Sequence, residues 1–596
     1  MSDNQVLKYL KRYRLRYFLG FLALVGASLV VMLPPVVVRD AVDAIGKGTT
    51  RGQLATYGGY IMALALLESI LRFAARHLVS GTSRYVEYDL RTDLATRFMA
   101  LDQRFYTESQ TGDLMARCTN DLQVIRDLMG PTLIDILRII TMVAIGFGFL
   151  LTIDTRLALI AIAYFPIIGF VVVYFRVGVE AKFRAVQDQF GLIATRVQEN
   201  MSGMRTIKAY AQEDSETATF IEANREMKRR SMSWAYYTSA MWPLMAVLTG
   251  ASTILVLWFG GHDVVEGRIT TGQFVQFNTY LAVLANPIMS LGWTVTALQQ
   301  GAAAMKRVSE ILSSVPRIRD PEHPTHLDHV RGEIEFRDVT FGYRDRPVLE
   351  DISLRIPAGS TVALVGSTGV GKTTLVNLIA RLYDPWKGQV LLDGVDVRDL
   401  SLEQLREAIG FVPQETFLFS DSLRDNIAYG RAEPSPEELQ YALETSQLVN
   451  DLPQLTHGIE TVIGERGLTL SGGQKQRTAL ARALLKRPPV VILDDALSHV
   501  DTHTEEEILK RLKGFMEERT TIIIAHRTST LASADMIVAL EDGRIAEVGT
   551  HDELLRLNGV YARFYRRQQL AEQLAEDEAV TPAEVEQGGP GVGAPS

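Results

Sequence analysis

The sequence predicts a chain in two parts: an α-helical membrane domain of about six spans with long cytoplasmic extensions, then a soluble α/β domain. Three observations predict it. Long apolar stretches crowd the first half. The second half alternates strand and helix patterns, and within it "TVALVGSTGVGKTTL" reads as a strand, a glycine-rich turn and a helix start.

A chain of 596 residues, 47% hydrophobic and 22% charged, is too long for one ordinary core. The net charge of −9 argues against a nucleic acid or other polyanion as partner. A single cysteine, Cys118, rules out an intrachain disulfide and a Cys-based zinc site, and reads as a small side chain in a helix.

The N-terminal stretch "LKYLKRYRLRYFLGFLALVGASLVVML" is basic and then apolar. A cleaved signal peptide looks similar, but the apolar run is long, no small-residue cleavage site stands out and further apolar segments follow. It reads as a first membrane helix whose N-terminus stays in the cytoplasm. The apolar segments lie near 17–38, 54–79, 133–153, 157–175, 234–258 and 274–291. The short "DTR" turn and the turn near Lys47 are expected outside, and the Lys/Arg-rich stretches 84–126 and 176–230 inside. Those inner stretches repeat apolar residues at helical spacing, so the membrane helices are expected to continue past the bilayer. "SQTGDL" and "MSGMRT" break the pattern and are candidates for short transverse helices. Glu68 and Arg72 are one helical turn apart, as are Asp135 and Arg138. A substrate pathway and paired helix ends near the interface are both open readings.

The proline-rich stretch "SSVPRIRDPEHPTHLDHV" suggests a boundary, dividing the chain into a membrane domain 1–315, a linker 316–331, a nucleotide-binding domain 332–570 and an acidic tail 571–596 expected to be disordered from about Ala575. His323, His326 and His329 recur in the linker, where a solvated segment is favoured over a metal site.

The glycine-rich turn fits G-x-x-x-x-G-K-[ST] over Gly366, Ser367, Thr368, Gly369, Val370, Gly371, Lys372 and Thr373, with Thr374 next. Such a turn closes its backbone around phosphates, and the helix N-terminus turns free N–H groups towards the anion. Lys372 is expected at the β- and γ-phosphates of ATP and the Thr373 hydroxyl at Mg²⁺. Downstream, "VVILD" reads as a buried strand ending in Asp494, a second expected Mg²⁺ ligand.

At "LSGGQKQR" the resemblance becomes specific: Leu470, Ser471, Gly472, Gly473 and Gln474 match the signature of ATP-binding cassette (ABC) proteins. The other elements stand around it in the family's order, from Gly332 to about Arg567. Tyr343 resembles the aromatic residue that stacks on adenine. Gln414 in "FVPQETFLF" resembles the glutamine that contacts Mg²⁺ and the attacking water. "GERG" precedes the signature, "SHVD" stands where the family usually has "SALD", and His526 in "IIIAHR" resembles the switch histidine at the γ-phosphate. The first half resembles the exporter type through "TGDLMARCTND", "VQENMSGMRTIKAYAQE" and "GRITTGQFVQF". The resemblance implies a half-transporter that dimerises with exchanged helices in a bacterial-type plasma or inner membrane. It places ATP between the phosphate loop of one chain and the signature of its partner.

The family supplies Glu directly after the acid that ends the strand, whereas this chain has Asp495. The charge is kept and one methylene is lost. Positioned base catalysis contributes roughly 10²–10⁴-fold, so a short reach predicts a slow pocket. An intact signature beside a weak base resembles one subunit of a heterodimeric exporter with one degenerate ATP site. A slow homodimer and a non-pumping channel or regulator are the alternatives. The substrate is expected to be small and amphipathic: drug, lipid or peptide.

Overall fold

The computed structural model describes residues 3–431, 433–464, 470–524 and 527–580. They form two compact units. One holds the residues up to Ala100 and Ser109–Ser314; the other holds Leu101–Glu108 and the residues from Val315 onward.

The first unit is helical: α1 (Asp3–Arg12), α2 (Arg14–Val30), α3 (Pro34–Gly46) and α4 (Arg51–Ala100) come before the excursion α5 (Gln103–Glu108), which clusters with the second unit. It resumes with α6 (Thr111–Ala116), α7 (Leu122–Asp127) and α8 (Leu133–Ile153), joined by two π-helical turns, and continues through α9 (Thr155–Ser202), α10 (Met204–Ala209), α11 (Glu213–Val265) and α12 (Thr271–Ser313). Among the described residues five stretches are long and apolar enough to cross a bilayer: Arg14–Gly46, Arg51–Ala100, Thr111–Ile153, Glu213–Val265 and Thr271–Ser313. The remaining expected span, 157–175, lies in α9. Helices α4, α9 and α11 run for 50, 48 and 53 residues, more than twice the ~20 residues a bilayer needs. The amphipathic stretches are therefore continuations of the spans.

Local chemistry sets the ends. The Asp154 carboxylate of the "DTR" turn caps α9 by accepting from the Leu157 N–H at 2.8 Å. Thr270 and Gln273 form a reciprocal capping box that starts α12. The short helix α6 (Thr111–Ala116) starts within "SQTGDL", and a further one, Gln103–Glu108, comes just before it, where Asp102 accepts from the Phe105 N–H at 3.3 Å. The second expected helix, Met204–Ala209, overlaps "MSGMRT". Glu68 and Arg72 are paired, and so are Asp135 and Arg138 at 3.1 Å. A longer-range brace joins α12 to the π-turn before α7: Arg307 forks onto Asp121 at 2.7 and 2.5 Å.

The second unit holds two sheets. One is antiparallel, in the order β2 (Arg346–Ile356), β1 (Ile334–Tyr343), β4 (Lys387–Leu392), β5 (Val395–Asp396). The other is ordered β10 (Arg544–Gly549), β9 (Met536–Glu541), β3 (Thr361–Val365), β8 (Thr520–Ile524), β7 (Val490–Asp494), β6 (Ile409–Val412); it is parallel except for β10. Its helices are α13 (Lys372–Ile379), α14 (Leu402–Glu407), α15 (Leu423–Ala428), α16 (Pro436–Thr445), α17 (Gly472–Leu485), α18 (Thr502–Met516), α19 (Thr528–Ala532), α20 (His551–Leu557) and α21 (Val560–Val580). Strand β7 explains the unbroken apolar run "VVIL". Val490 and Ile492 join the core that includes Leu364 and Leu375, while Val491 and Leu493 join the one that includes Ala479 and Leu480.

The predicted linker is docked on this unit through its backbone. Thr325 N–H donates to Asp399 O at 2.8 Å, and the Gln404 amide bonds both backbone groups of Leu327. His323, His326 and His329 are exposed. The tail corrects an expectation: α21 continues to Val580, because "LAEQLAEDEA" is rich in strong helix formers. The tail beyond it, 581–596, lies outside the described residues.

Candidate functional site

The parallel sheet brings the sequence-predicted residues to one edge. Leu364 of β3 and Asp494 of β7 are both in register with Ile524 of β8, and Leu493 is in register with Val412 of β6. The segments that leave these strand ends carry the glycine-rich loop, the Asp494–Asp495 pair and Gln414. This is the edge where open α/β sheets bind ligands. His526, expected just past β8, lies outside the described residues, as do the last three residues of "GERG".

The loop from Gly366 to Gly371 joins β3 to α13. Gly366, Gly369 and Gly371 have φ of +149°, +82° and +107°, which side-chain-bearing residues rarely adopt. A Cβ at Gly366 would also lie 2.5 Å from Leu540 O. Ser367, Thr368 and Gly369 are exposed, while Val370, Lys372 and Thr374 are buried. Lys372 folds back over the loop, and its Nζ donates to Gly366 O at 2.8 Å and Ser367 O at 3.0 Å. Burial lowers the Lys372 pKa, against the pull of Asp494 and Asp495.

Asp494 is 1% exposed. Burial raises its pKa, opposed by a hydrogen bond from the Thr373 side chain. Its Oδ2 is buried without a hydrogen-bond partner. An orphaned carboxylate oxygen beside a threonine hydroxyl is a donor set that suits a hard cation. Gln414 is exposed just past the end of β6. Asp495 stands at φ +50°, with its N–H bonded to Ile524 O at 3.0 Å. Aspartate tolerates this left-handed conformation better than most residues.

Tyr343 ends β1. Its ring meets Phe341 and Tyr383 edge-on, with centroids 5.3 and 5.4 Å away, and its hydroxyl lies 3.3 Å from Thr374 Oγ1. The signature starts α17. Ser471 is the N-cap, and it forms a capping box with Gln474. The Gln474 side chain also donates to Asp451 Oδ1 at 3.1 Å, and Arg477 pairs with the same carboxylate at 2.9 Å. Sequence reasoning missed Asp451, which has no motif around it. It also missed Gln476, which was visible only as one letter of "LSGGQKQR".

The ABC transporter transmembrane region family matches residues 17–288, and the ABC transporter family matches 349–498. A probable multidrug resistance ABC transporter ATP-binding/permease protein of Bacillus subtilis is 36% identical over 568 residues, 94% of this chain and 97% of its own. The chain belongs to the ABC transporter family. An ATP-dependent lipid A-core flippase of Syntrophus aciditrophicus is 34% identical over 96% of both chains. A bacterial Atm1-family ABC exporter with ATP bound superposes with a TM-score of 0.76 at 29% identity, covering 94% of this chain and 98% of that one. The protein is thus an integral membrane ABC transporter of the exporter fold, with a transmembrane domain and an ATP-binding ABC ATPase on one chain.

Proposed function

We propose that this ABC transporter is one subunit of a heterodimer that exports amphipathic or hydrophobic molecules from the cytoplasm at the expense of ATP. The observation that carries the reading is the site at the sheet edge: a buried lysine, a hydroxyl and a half-satisfied buried carboxylate around a glycine-rich loop, on a chain that also holds the membrane helices.

In this reading Lys372 and the loop N–H groups bind the ATP phosphates. Thr373, Asp494 and Gln414 hold Mg²⁺, which neutralises phosphate charge when bound. Tyr343 stacks on adenine. Ser471, Gly472 and Gly473 face the γ-phosphate held by the partner chain. Asp495, assisted by His526, orients water in this chain's own pocket and does so slowly, because its carboxylate is one methylene shorter than the glutamate that the family resemblance implies here. Drugs or lipids are the substrate classes that the relatives' names favour. The ATPase unit and the N-terminus lie on the cytoplasmic side of a bacterial-type membrane.

The test uses proteoliposomes that carry the purified complex with its ATPase units outside. ATP-dependent accumulation of a fluorescent amphipathic dye, lost in Lys372→Ala, supports a pump. Flux that persists in that variant supports a channel and overturns the reading. A slow homodimer is the second reading, favoured by the retention of His526.

A further inference from the structure

One residue of the ATPase unit, in the turn that follows Asp495, packs against the start of the signature helix. In "SHVD" the family's alanine is replaced by His499. Gln476 of α17 is 2% exposed and reaches the turn that holds this histidine. Its Oε1 accepts the His499 backbone N–H at 2.8 Å, which fixes the other amide atom as the nitrogen. That nitrogen lies 3.0 Å from His499 Nδ1, 2.9 Å from Ser498 Oγ and 3.3 Å from Asp495 O. Ser498 Oγ also donates to Asp495 O at 3.1 Å. Ser498 Oγ lies 3.2 Å from the same ring nitrogen, so Nδ1 is held between the Gln476 amide and the Ser498 hydroxyl.

The same histidine walls the signature turn. An ideal Cβ on Gly472 would meet the His499 Cβ, Cγ and Cδ2 at 3.2, 3.3 and 3.4 Å. A Cβ on Gly473 would lie 2.8 Å from His499 O. Two successive glycines have the greatest backbone freedom and no side chains of their own to hold them. The imidazole and carbonyl of His499 add restraint from outside to the capping box that starts α17.

We propose that His499 is a positioning residue for ATP turnover: held through Nδ1 by Gln476, it fixes the Gly472–Gly473 turn against the turn that carries Asp495. The inference rests on the reading that the signature faces a nucleotide, and its test is kept separate from that reading.

Steady-state ATPase kinetics on the purified complex decide it. Asparagine places its amide oxygen near the position of Nδ1, whereas glutamine places its amide near Nε2. His499→Ala is expected to lower kcat about five-fold, the size of one lost hydrogen bond, with KM for ATP changed less than about two-fold. His499→Asn restores kcat and His499→Gln does not. Wild-type kcat in His499→Ala, an effect on KM alone, or rescue by glutamine instead of asparagine overturns the proposal. Gly473→Asp is the control. If it leaves turnover intact, the signature reading itself fails. If it stops turnover while His499→Ala matches wild type, only the role of His499 fails.

Discussion

At the scale of single residues, Lys372 and Tyr343 make the sharpest expectations. Lys372 is buried, and it satisfies itself on loop carbonyls that an incoming phosphate must replace. Lys372→Ala removes the only side-chain cation in the quoted loop, so photo-crosslinking of an ATP analogue to this chain is expected to fall at least about ten-fold; charge-assisted contacts of this kind are worth ~1.5–3 kcal/mol. Tyr343 offers a ring face, and its hydroxyl makes only a 3.3 Å contact with Thr374. Tyr343→Phe is therefore expected to bind nucleotide as wild type does, and Tyr343→Ala to bind a few-fold more weakly. Equal losses in both variants would contradict stacking. Lys372, Thr373 and Asp494 were legible because one short motif encodes their spacing and a buried strand points to the acid. Asp451 was not. It grips Gln474 and Arg477 from 23 and 26 positions away, and nothing local marks a bond of that separation.

At the scale of elements, the signature helix is set by its own start. The Ser471–Gln474 capping box satisfies N–H groups at the head of α17, and Asp451 holds the Gln474 amide. Gln474→Ala breaks both, with an expected cost of about 1 kcal/mol in urea unfolding of the ATPase unit and a drop in ATPase activity. Gln474→Glu keeps the reciprocal cap but sets a second carboxylate against Asp451, so it is expected to rescue poorly. In the membrane unit, Asp121→Asn leaves Arg307 without its charged fork, and the thermal midpoint in detergent is expected to fall, with Arg307→Lys only partly tolerated because ammonium cannot fork. The long helices were legible because no glycine or proline cluster separates their apolar and amphipathic parts. Helix α5 was not legible because the break before it comes at Leu101–Asp102, where no Gly or Pro announces it. The end of α21, 575–580, was not legible because its acidic residues run on into a Gly- and Pro-rich stretch, which hides the helix propensity of Ala and Glu.

At the scale of the whole molecule, the proposed division of labour between two ATP pockets sets how the complex turns over. The phosphate loop is rooted in the core that includes Val370 and Leu375, and the signature in the core that includes Leu470 and Leu480. The two motifs are thus carried by different parts of the ATPase unit. Co-purification of a tagged chain with its neighbours is expected to return a second, different subunit. The most direct measurement is a comparison of steady-state ATPase rates in the purified complex. Gly473→Asp sets bulk and charge against His499 O and the phosphate expected there, and activity is expected to be nearly abolished. On the proposed reading Asp495→Asn alters only a slow pocket and is expected to cost far less, while Asp495→Glu lengthens the side chain and is expected to raise the rate. If Asp495→Asn instead stops hydrolysis as completely as Gly473→Asp, then Asp495 is a working base and the unequal-pocket account is wrong.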